Sequence, residues 1–185
     1  MRHLQQPDVE ATAPADAASL HKDLQISLCE KLELVWQGLD VDEAFLEATL
    51  RRCIASAAAH KLQIAAEHGG LGVLHWAVLA DRASVITALE AGVKHLVKWD
   101  MLTRSADVFG AATALCLAAV LSRQAAIEAL LRAGASSGVA WQQLDPDQKS
   151  LALVGLTPLH VVRPFVPRHM RWSSRCSINQ PAASE

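Results

Sequence analysis

From Gly70 onward the chain repeats one pattern, and this repetition limits the folds open to it more than any other feature. Two strings align: GVLHWAVLADRASVITALEAG, which begins at Gly72, and TALCLAAVLSRQAAIEALLRAG, which begins at Thr113. Each string contains an apolar segment rich in small residues, a short polar break, a second apolar segment and a closing glycine. Sequence repeated at this length is one unit of supersecondary structure, and two apolar segments around a polar break predict two short antiparallel helices.

The end residues of each unit predict where its helices begin and end. Thr113 is expected to cap a first helix by accepting a hydrogen bond from a backbone N–H. Gly92 and Gly134 close the two units, and we expect each to take the left-handed backbone that ends a second helix. The small residues that follow Leu74 and Leu115 should let the first helices of neighbouring units approach closely.

A third string, GLTPLH at residues 155–160, begins a further unit. Thr157 is suited to cap its first helix, and Pro158 lacks the N–H that would have no acceptor at that position. Pro164 follows where this helix should still be hydrogen-bonded, and a proline there breaks a helix. We therefore expect the helix to stop near Val162 and the third unit to remain incomplete.

These strings resemble the ankyrin repeat, whose pattern runs G-x-T-P-L-H-x-A-A, a helix turn, an apolar second helix, G-A and a projecting β-hairpin loop. The third string matches the opening of that pattern and the second matches its body, although Cys116 stands where the family has His. The first unit departs further, because Gly72 stands in place of the capping Thr and the unit is one residue short between its helices. The resemblance covers residues 70–162 and assigns structural roles to Leu74, His75, Gly92, Thr113, Leu115, Gly134, Thr157, Pro158, Leu159 and His160.

Before the repeats, the sequence predicts two further helices. The first carries an apolar stripe that recurs every four residues: Leu20, Leu24, Leu28 and Leu32. This helix should end near Gly38, and Asp40 and Glu43 have the spacing of a capping box for the next helix. The second helix has an apolar face formed by Leu46, Leu50 and Ile54. We expect it to run to His68, with or without a break near His60.

The expected fold is all-α, with ankyrin-type stacked helix pairs, enlarged hairpin loops and N-terminal capping helices. Ala and Leu dominate the apolar residues, Tyr is absent and only 3 Phe occur, which favours closely packed helices over a sheet. The predicted organisation is a disordered lead-in at 1–18, helices at 19–69, repeats at 70–162 and a basic, disordered tail at 163–185.

The loops that join the units are longer than those of the family and resemble each other. Leu74 and Leu115 lie 41 residues apart, whereas the family period is about 33. Each loop places Val, Trp and Leu at the same distances from the closing glycine, which includes Trp99 and Trp141. Alternate residues of an extended strand share one face, so each Val and Trp either packs on the helices or lines a contact surface.

The leading functional interpretation is a non-enzymatic module that binds another protein. The residues expected to face that partner lie after the small residues of each first helix or in the loops: Leu79, Ala80, Trp99, Asp100, Val120, Leu121, Trp141 and Gln142. The alternative is a regulatory fragment of a larger signalling enzyme or ubiquitin-pathway adaptor. A formal net charge of −2 gives no general attraction to nucleic acid. We expect no membrane partner, and a monomer or weak self-association through the exposed face of the C-terminal repeat.

Other chemistry has little support in the sequence. The string GASSG around Ser136 matches the serine hydrolase motif G-x-S-x-G, but that motif needs a strand before it and a helix after it, so a hydrolase is a remote alternative. The 8 His and 4 Cys show no ligand spacing, and we expect neither a metal nor a cofactor. Widely separated cysteines and no apolar leader predict an intracellular protein, cytoplasmic or nuclear.

Overall fold

The computed structural model describes residues 14–103 and 111–139, together with Pro158, which is helical and buried. Within these ranges the chain forms six α-helices: α1 Pro14–Trp36, α2 Glu43–His60, α3 Val73–Leu79, α4 Ala83–Val93, α5 Ala114–Val120 and α6 Gln124–Ala133. A small antiparallel hairpin of β1 Glu67–His68 and β2 Leu71–Gly72 joins α2 to α3, and a 3-10 turn, Lys94–Leu96, follows α4. The described part of the chain is therefore all-α in class, as the sequence predicts.

The six helices form three consecutive pairs that pack side by side. Within the pairs, α1 contacts α2, α3 contacts α4 and α5 contacts α6. Between the pairs, α3 contacts both α1 and α5, while α4 contacts both α2 and α6. The middle pair is covered on both sides, and every residue of α3 is buried. A single hydrophobic core therefore runs from Leu28 in α1 to Ala135 after α6.

The turn between α3 and α4 has the same backbone as the turn between α5 and α6. Asp81 and Ser122 lie at equivalent positions in these turns, with left-handed φ values of 57° and 55°. The N–H of the next residue donates to the carbonyl of Ala77 at 2.8 Å in one turn and to that of Ala118 at 2.9 Å in the other. Equivalent residues are 41 positions apart, the same spacing that separates Leu74 from Leu115.

Gly92 does not have the role that the sequence suggests. Because the two turns align without a gap, the first unit is not one residue short between its helices. Gly92 lies inside α4, whereas Gly134 ends α6 in the left-handed conformation at φ 100°. A Cβ atom on Gly92 would lie 2.7 Å from Cγ2 of Ile54 in α2. The prediction of a left-handed cap at Gly92 is therefore wrong, and its missing side chain instead lets α4 approach α2.

α1 begins earlier than the sequence predicts. Pro14 is its first residue, so residues 14–18 are helical rather than part of a disordered lead-in. Proline is favoured at the first helical position because its missing N–H would have no acceptor there. The leucine stripe is only partly buried: Leu28 and Leu32 are fully enclosed, whereas Leu20 is 56% exposed. The predictions for residues 1–13 and for the tail at 163–185 lie outside the described residues.

The start of α2 differs by two residues from the predicted capping box. Asp42, rather than Asp40, is the N-cap, and its carboxylate accepts a hydrogen bond of 2.9 Å from the Ala44 N–H. A capping side chain must immediately precede the first helical residue to reach these amides, which Asp42 does and Asp40 does not. The predicted apolar face holds for Leu46 and Leu50, which are buried.

α2 also ends before its predicted limit. It stops at His60, where Lys61 takes a left-handed conformation with φ 53°. The continuation to His68 is therefore wrong, since residues 62–66 are not helical and His68 belongs to the β-hairpin. Gly69 and Gly70 form the turn of that hairpin at φ values of 59° and 75°, which glycine adopts without steric cost.

The close approach at Gly92 predicts a specific sensitivity to side-chain size. Gly92→Val should lower the free energy of unfolding by roughly 2 kcal/mol, because the new methyl groups displace Ile54 and separate α4 from α2. Urea unfolding measures the change. Gly138→Val is the matched control, because a Cβ at Gly138 meets only ordinary contact at 3.7 Å. Equal effects at both positions would show that the approach of α4 to α2 does not require glycine.

Candidate protein-binding surface

His75 connects the second helix pair to the third. It lies in the first turn of α3 and its side chain is 1% exposed. Nδ1 accepts a hydrogen bond of 3.2 Å from the Gly72 N–H, and Nε2 lies 3.1 Å from the Ala112 carbonyl oxygen. Since Nδ1 is an acceptor, Nε2 carries the proton and donates it to Ala112. Burial lowers the pKa of His75 to about 4, although the Ala112 and Met101 backbone favours the charged form.

The start of the third pair is fixed by two threonines. Thr113 is the N-cap of α5, and its hydroxyl accepts a hydrogen bond of 3.2 Å from the Cys116 N–H. Ala112 exchanges two hydrogen bonds with Thr103, whose hydroxyl accepts from the Ala112 N–H at 3.0 Å and whose N–H donates to the Ala112 carbonyl at 2.9 Å. The loop before α5 therefore returns to the stack at a defined position, with Leu115 buried next to it.

Gly72 takes the capping position of α3, where the family pattern expects Thr. A Cβ on this residue would overlap Cε of Met101, so the loop after α4 packs where a threonine side chain would lie. The N–H of Gly72 bonds to His75. Leu74, also assigned to the repeat framework, is buried beside them. Thr157, Leu159 and His160 fall outside the described residues, and of that string only Pro158 can be placed, as a buried helical residue.

Two of the residues predicted to face a partner are covered. Leu79 and Ala80 are only 4% and 9% exposed, because α1 packs against α3 and the middle pair is enclosed on both sides. The expectation that they form part of a binding face is therefore corrected. Val120 and Leu121, at the equivalent positions of the third pair, are each 38% exposed at the end of α5.

Most apolar side chains of the third pair are buried or partly buried. Ala118, Ala126 and Leu130 are fully buried, and Ile127 and Leu131 are partly buried against the core. Among the described residues of α5 and α6, the exposed large apolar side chain is Val120, with Leu121 directly after it.

The loop after α4 combines packing with exposure. Trp99 is half-buried against the core, and its Nε1–H donates to the Lys94 carbonyl at 3.0 Å. Asp100 is exposed, and its carboxylate accepts a hydrogen bond of 2.6 Å from the N–H of Ser136 in the following loop. The structure thus brings the two loops together at Asp100. Trp141 and Gln142, predicted to contribute from the second loop, lie outside the described residues.

Ser136 takes part in local loop structure. Helix α6 precedes it, where a hydrolase elbow would have a strand. Its backbone N–H donates to Asp100, and its hydroxyl accepts from the Gly138 N–H at 3.3 Å. Both hydrogen bonds stabilise the local turn, and neither places a general base next to the Ser136 hydroxyl.

Ion pairs link the turns of successive helix pairs, a feature that the sequence analysis did not find. Arg82 reaches back to Glu43 at the start of α2, with 3.1 Å between Nη2 and Oε2. Arg123 reaches back to Asp81 in the same way, with 2.8 Å between Nη1 and Oδ2. Arg82 and Arg123 are 41 residues apart and therefore occupy equivalent positions in the two units. This spacing is the sequence signal from which the recurring ion pairs could have been predicted. Arg123 follows Leu121 by two residues.

The first helix pair exposes apolar side chains that the sequence analysis assigned to packing or left unassigned. They are Leu20, Leu34, Trp36, Leu39 and Phe45. The Lys31 ammonium lies 4.4 Å from the centre of the Phe45 ring, a cation–π contact. The Trp36 ring lies 5.9 Å from that of Trp76, measured between centroids, so the end of α1 also contacts α3.

Residues suited to metal or nucleophilic chemistry do not assemble in the described ranges. Within them, no group of three or more His, Cys, Asp or Glu side chains could hold a metal ion. Cys29 and Cys53 are fully buried, and burial raises the pKa of Cys53 to about 11 and also raises that of Cys29. Both thiols therefore stay protonated at neutral pH. No helix of the described residues has the length and apolar character needed to cross a membrane.

Comparisons of the chain with protein-family models, with curated proteins and with solved structures give no match.

The environment of His75 predicts that acid destabilises the fold. A folded pKa of about 4 lies below the ordinary value of 6.5, so the unfolded chain binds the proton more tightly. The stability that His75 contributes is complete above pH 6.5 and is lost as the pH falls towards 4. The loss should reach about 3 kcal/mol over this range.

Urea unfolding of the parent and of His75→Gln, measured from pH 7 to pH 4, tests this expectation. The parent should have the higher free energy of unfolding at pH 7, and its difference from His75→Gln should shrink by about 3 kcal/mol by pH 4. His95→Gln is the matched control, because His95 is exposed, and its curve should run parallel to that of the parent. A difference between the parent and His75→Gln that stays constant with pH would disprove the assigned neutral bridge.

Proposed function

We propose that this chain is a non-enzymatic, ankyrin-like module that binds another protein, with the α1–α2 pair serving as the first layer of its stack. The observation that carries the proposal is that one turn geometry recurs at a spacing of 41 residues. Leu121 is exposed at the later turn, whereas the equivalent Ala80 is buried at the earlier one. Stacked helix pairs of this kind present extended surfaces for partners. The order in which the helices contact one another supports the same interpretation.

The proposed binding surface has two parts, one at each end of α5. Val120 and Leu121 form the first, next to the Arg123–Asp81 ion pair. The exposed part of Trp99 and the Asp100 carboxylate form the second. Leu102, two residues after Asp100, pairs with Thr113 at the start of α5. A helix of seven residues is about 10 Å long, which is within the span of one partner of ordinary interface size. Apolar centres bordered by charges of both signs fit a folded protein partner better than a nucleic acid.

A second candidate is a regulatory module within a larger signalling enzyme or ubiquitin-pathway adaptor. The observation that favours it is the apolar exposure of the first helix pair. A terminal layer of a repeat stack normally carries a polar outer face, whereas Leu20, Leu34 and Phe45 are exposed here. These side chains would then pack against a further part of the assembly.

Site-specific photo-crosslinking distinguishes the two candidates. A benzophenone amino acid placed at position 121 or 99 should crosslink the same protein from a cell lysate, identified by mass spectrometry. Position 87 is the control, because Thr87 is exposed on α4 and belongs to neither part of the proposed surface. Crosslinks from position 45 alone would favour the larger assembly, and identical products from 121, 99 and 87 would defeat the proposed surface.

Substitution provides a second test of the proposed surface. Leu121→Ser should abolish capture of the crosslinked protein while changing the free energy of unfolding by no more than about 0.5 kcal/mol, since Leu121 is a surface residue. Leu20→Ser is the control, because Leu20 is a more exposed leucine on α1 outside the proposed surface, and it should leave capture intact. Capture that survives Leu121→Ser would place the binding site elsewhere.

A further inference from the structure

α1 is anchored unevenly along its length. Its second half buries Leu28, Cys29 and Leu32 completely. Its first half, from Pro14 to Gln25, buries Ala17, His21 and Gln25, leaves Leu24 half-buried and exposes Leu20. Segments with few buried apolar contacts open locally at low free energy while the rest of a protein stays folded. The first half of α1 is therefore the part that can separate without unfolding the stack.

Gln25 attaches this half of α1 to the segment after α2. Its side-chain oxygen accepts hydrogen bonds from the N–H groups of Ala65 at 2.9 Å and Ala66 at 2.7 Å. Its side-chain amide donates to the Gln63 carbonyl at 3.2 Å. Three hydrogen bonds from one buried side chain thus hold residues 63–66 in place.

The same segment supports the loop that carries Trp99. The Ile64 N–H donates to the Leu96 carbonyl at 2.8 Å, and Ile64 pairs with Val97 as a parallel bridge. Val97 is buried two residues before Trp99. Contacts therefore run from Gln25 through residues 63–66 to one part of the proposed binding surface.

His21 lies one turn before Gln25 and is not satisfied in its buried position. Its side chain is 3% exposed, and neither ring nitrogen forms a hydrogen bond with the described residues. Burial lowers the pKa of His21, a nearby Gln63 carbonyl opposes this shift, and His60 at the end of α2 adds to it. A buried polar group without a partner is costly and needs an explanation.

The other elements packed on α1 carry few titratable groups near this position. β1 carries Glu67 and His68, and His68 bonds to Glu33, 12 residues beyond His21 along the helix. α3 carries His75, which is committed to Gly72 and Ala112. On α1 itself the neighbouring Lys22 and Asp23 are exposed. Protonated His21 would face His60 and the Gln63 carbonyl.

We propose that the first half of α1 is an acid-sensitive latch, in which protonation of His21 releases Gln25 from residues 63–66 and loosens the loop that carries Trp99. Charging His21 is favourable only when it reaches water, so a lower pH favours the open state. The effect on binding depends on the proposed function, because Trp99 must contact the partner. The latch itself is independent of any partner and can be tested on the free protein.

Amide hydrogen exchange of the full chain at pH 7.5 and pH 5.5, corrected for the intrinsic pH dependence of exchange, tests the latch. Protection at Ala65 and Ala66 should fall by up to about tenfold for the first pH unit below 6.5. Leu117 and Ile127, which are hydrogen-bonded near the starts of α5 and α6, report the acid response predicted for His75, and their loss of protection should persist when His21 is replaced. Protection at Ala65 and Ala66 that does not change between the two pH values would overturn the proposal.

Substitutions identify the titrating group. His21→Gln should remove the acid-induced loss of protection at Ala65 and Ala66, and His21→Leu should do the same if the glutamine variant folds poorly. His95→Gln, at an exposed position, is the matched control and should retain the loss. A loss that persists unchanged in both His21 variants would assign the acid response to another group and refute the latch.

Discussion

The neutral ring of His75 links the second and third helix pairs, because one buried side chain bonds to the backbone at the start of both. Nδ1 accepts from Gly72 at the start of α3, and Nε2 donates to Ala112 directly before α5. An imidazole has one donor and one acceptor only when it is uncharged, so the burial that lowers its pKa also preserves the bridge. Ala112 bonds in turn to Thr103, which fixes the end of the enlarged loop.

The sequence predicts those parts of the fold that depend on local pattern. Apolar periodicity and polar breaks predict the helix pairs, because amphipathic helices follow from residues three and four positions apart. The same reasoning fails at Gly92, since the residue that requires a glycine there is Ile54, far away in sequence and on another helix. It also fails at Leu20, because α1 is much longer than α3 and its first turns have less to pack against.

The candidate surface is predictable in part for the same reason. Val120 and Leu121, at the position after the small residues of a first helix, are exposed, whereas Leu79 and Ala80 are covered in a middle pair that packs on both sides, which no local pattern reveals. The sequence left open whether Trp99 packs on the helices or lines a contact surface. In the structure the side chain is half-buried: it packs against the core, and its indole N–H donates to the Lys94 carbonyl. The Gln25 contacts were not foreseen, because their partners are backbone groups about forty residues away.

Cooperation among the three helix pairs can be tested by weakening one end of the stack and following the other. With Trp99, Trp141 and Trp172 replaced by Phe, fluorescence reports Trp36 and Trp76, which touch between the first two pairs. Leu130→Ala removes a fully buried side chain from α6 and should cost roughly 2–5 kcal/mol. In one cooperative stack, the urea midpoint followed by tryptophan fluorescence falls as far as the midpoint followed by circular dichroism. A fluorescence midpoint unchanged from the parent, with a circular dichroism curve that splits into two transitions, would contradict a single stack.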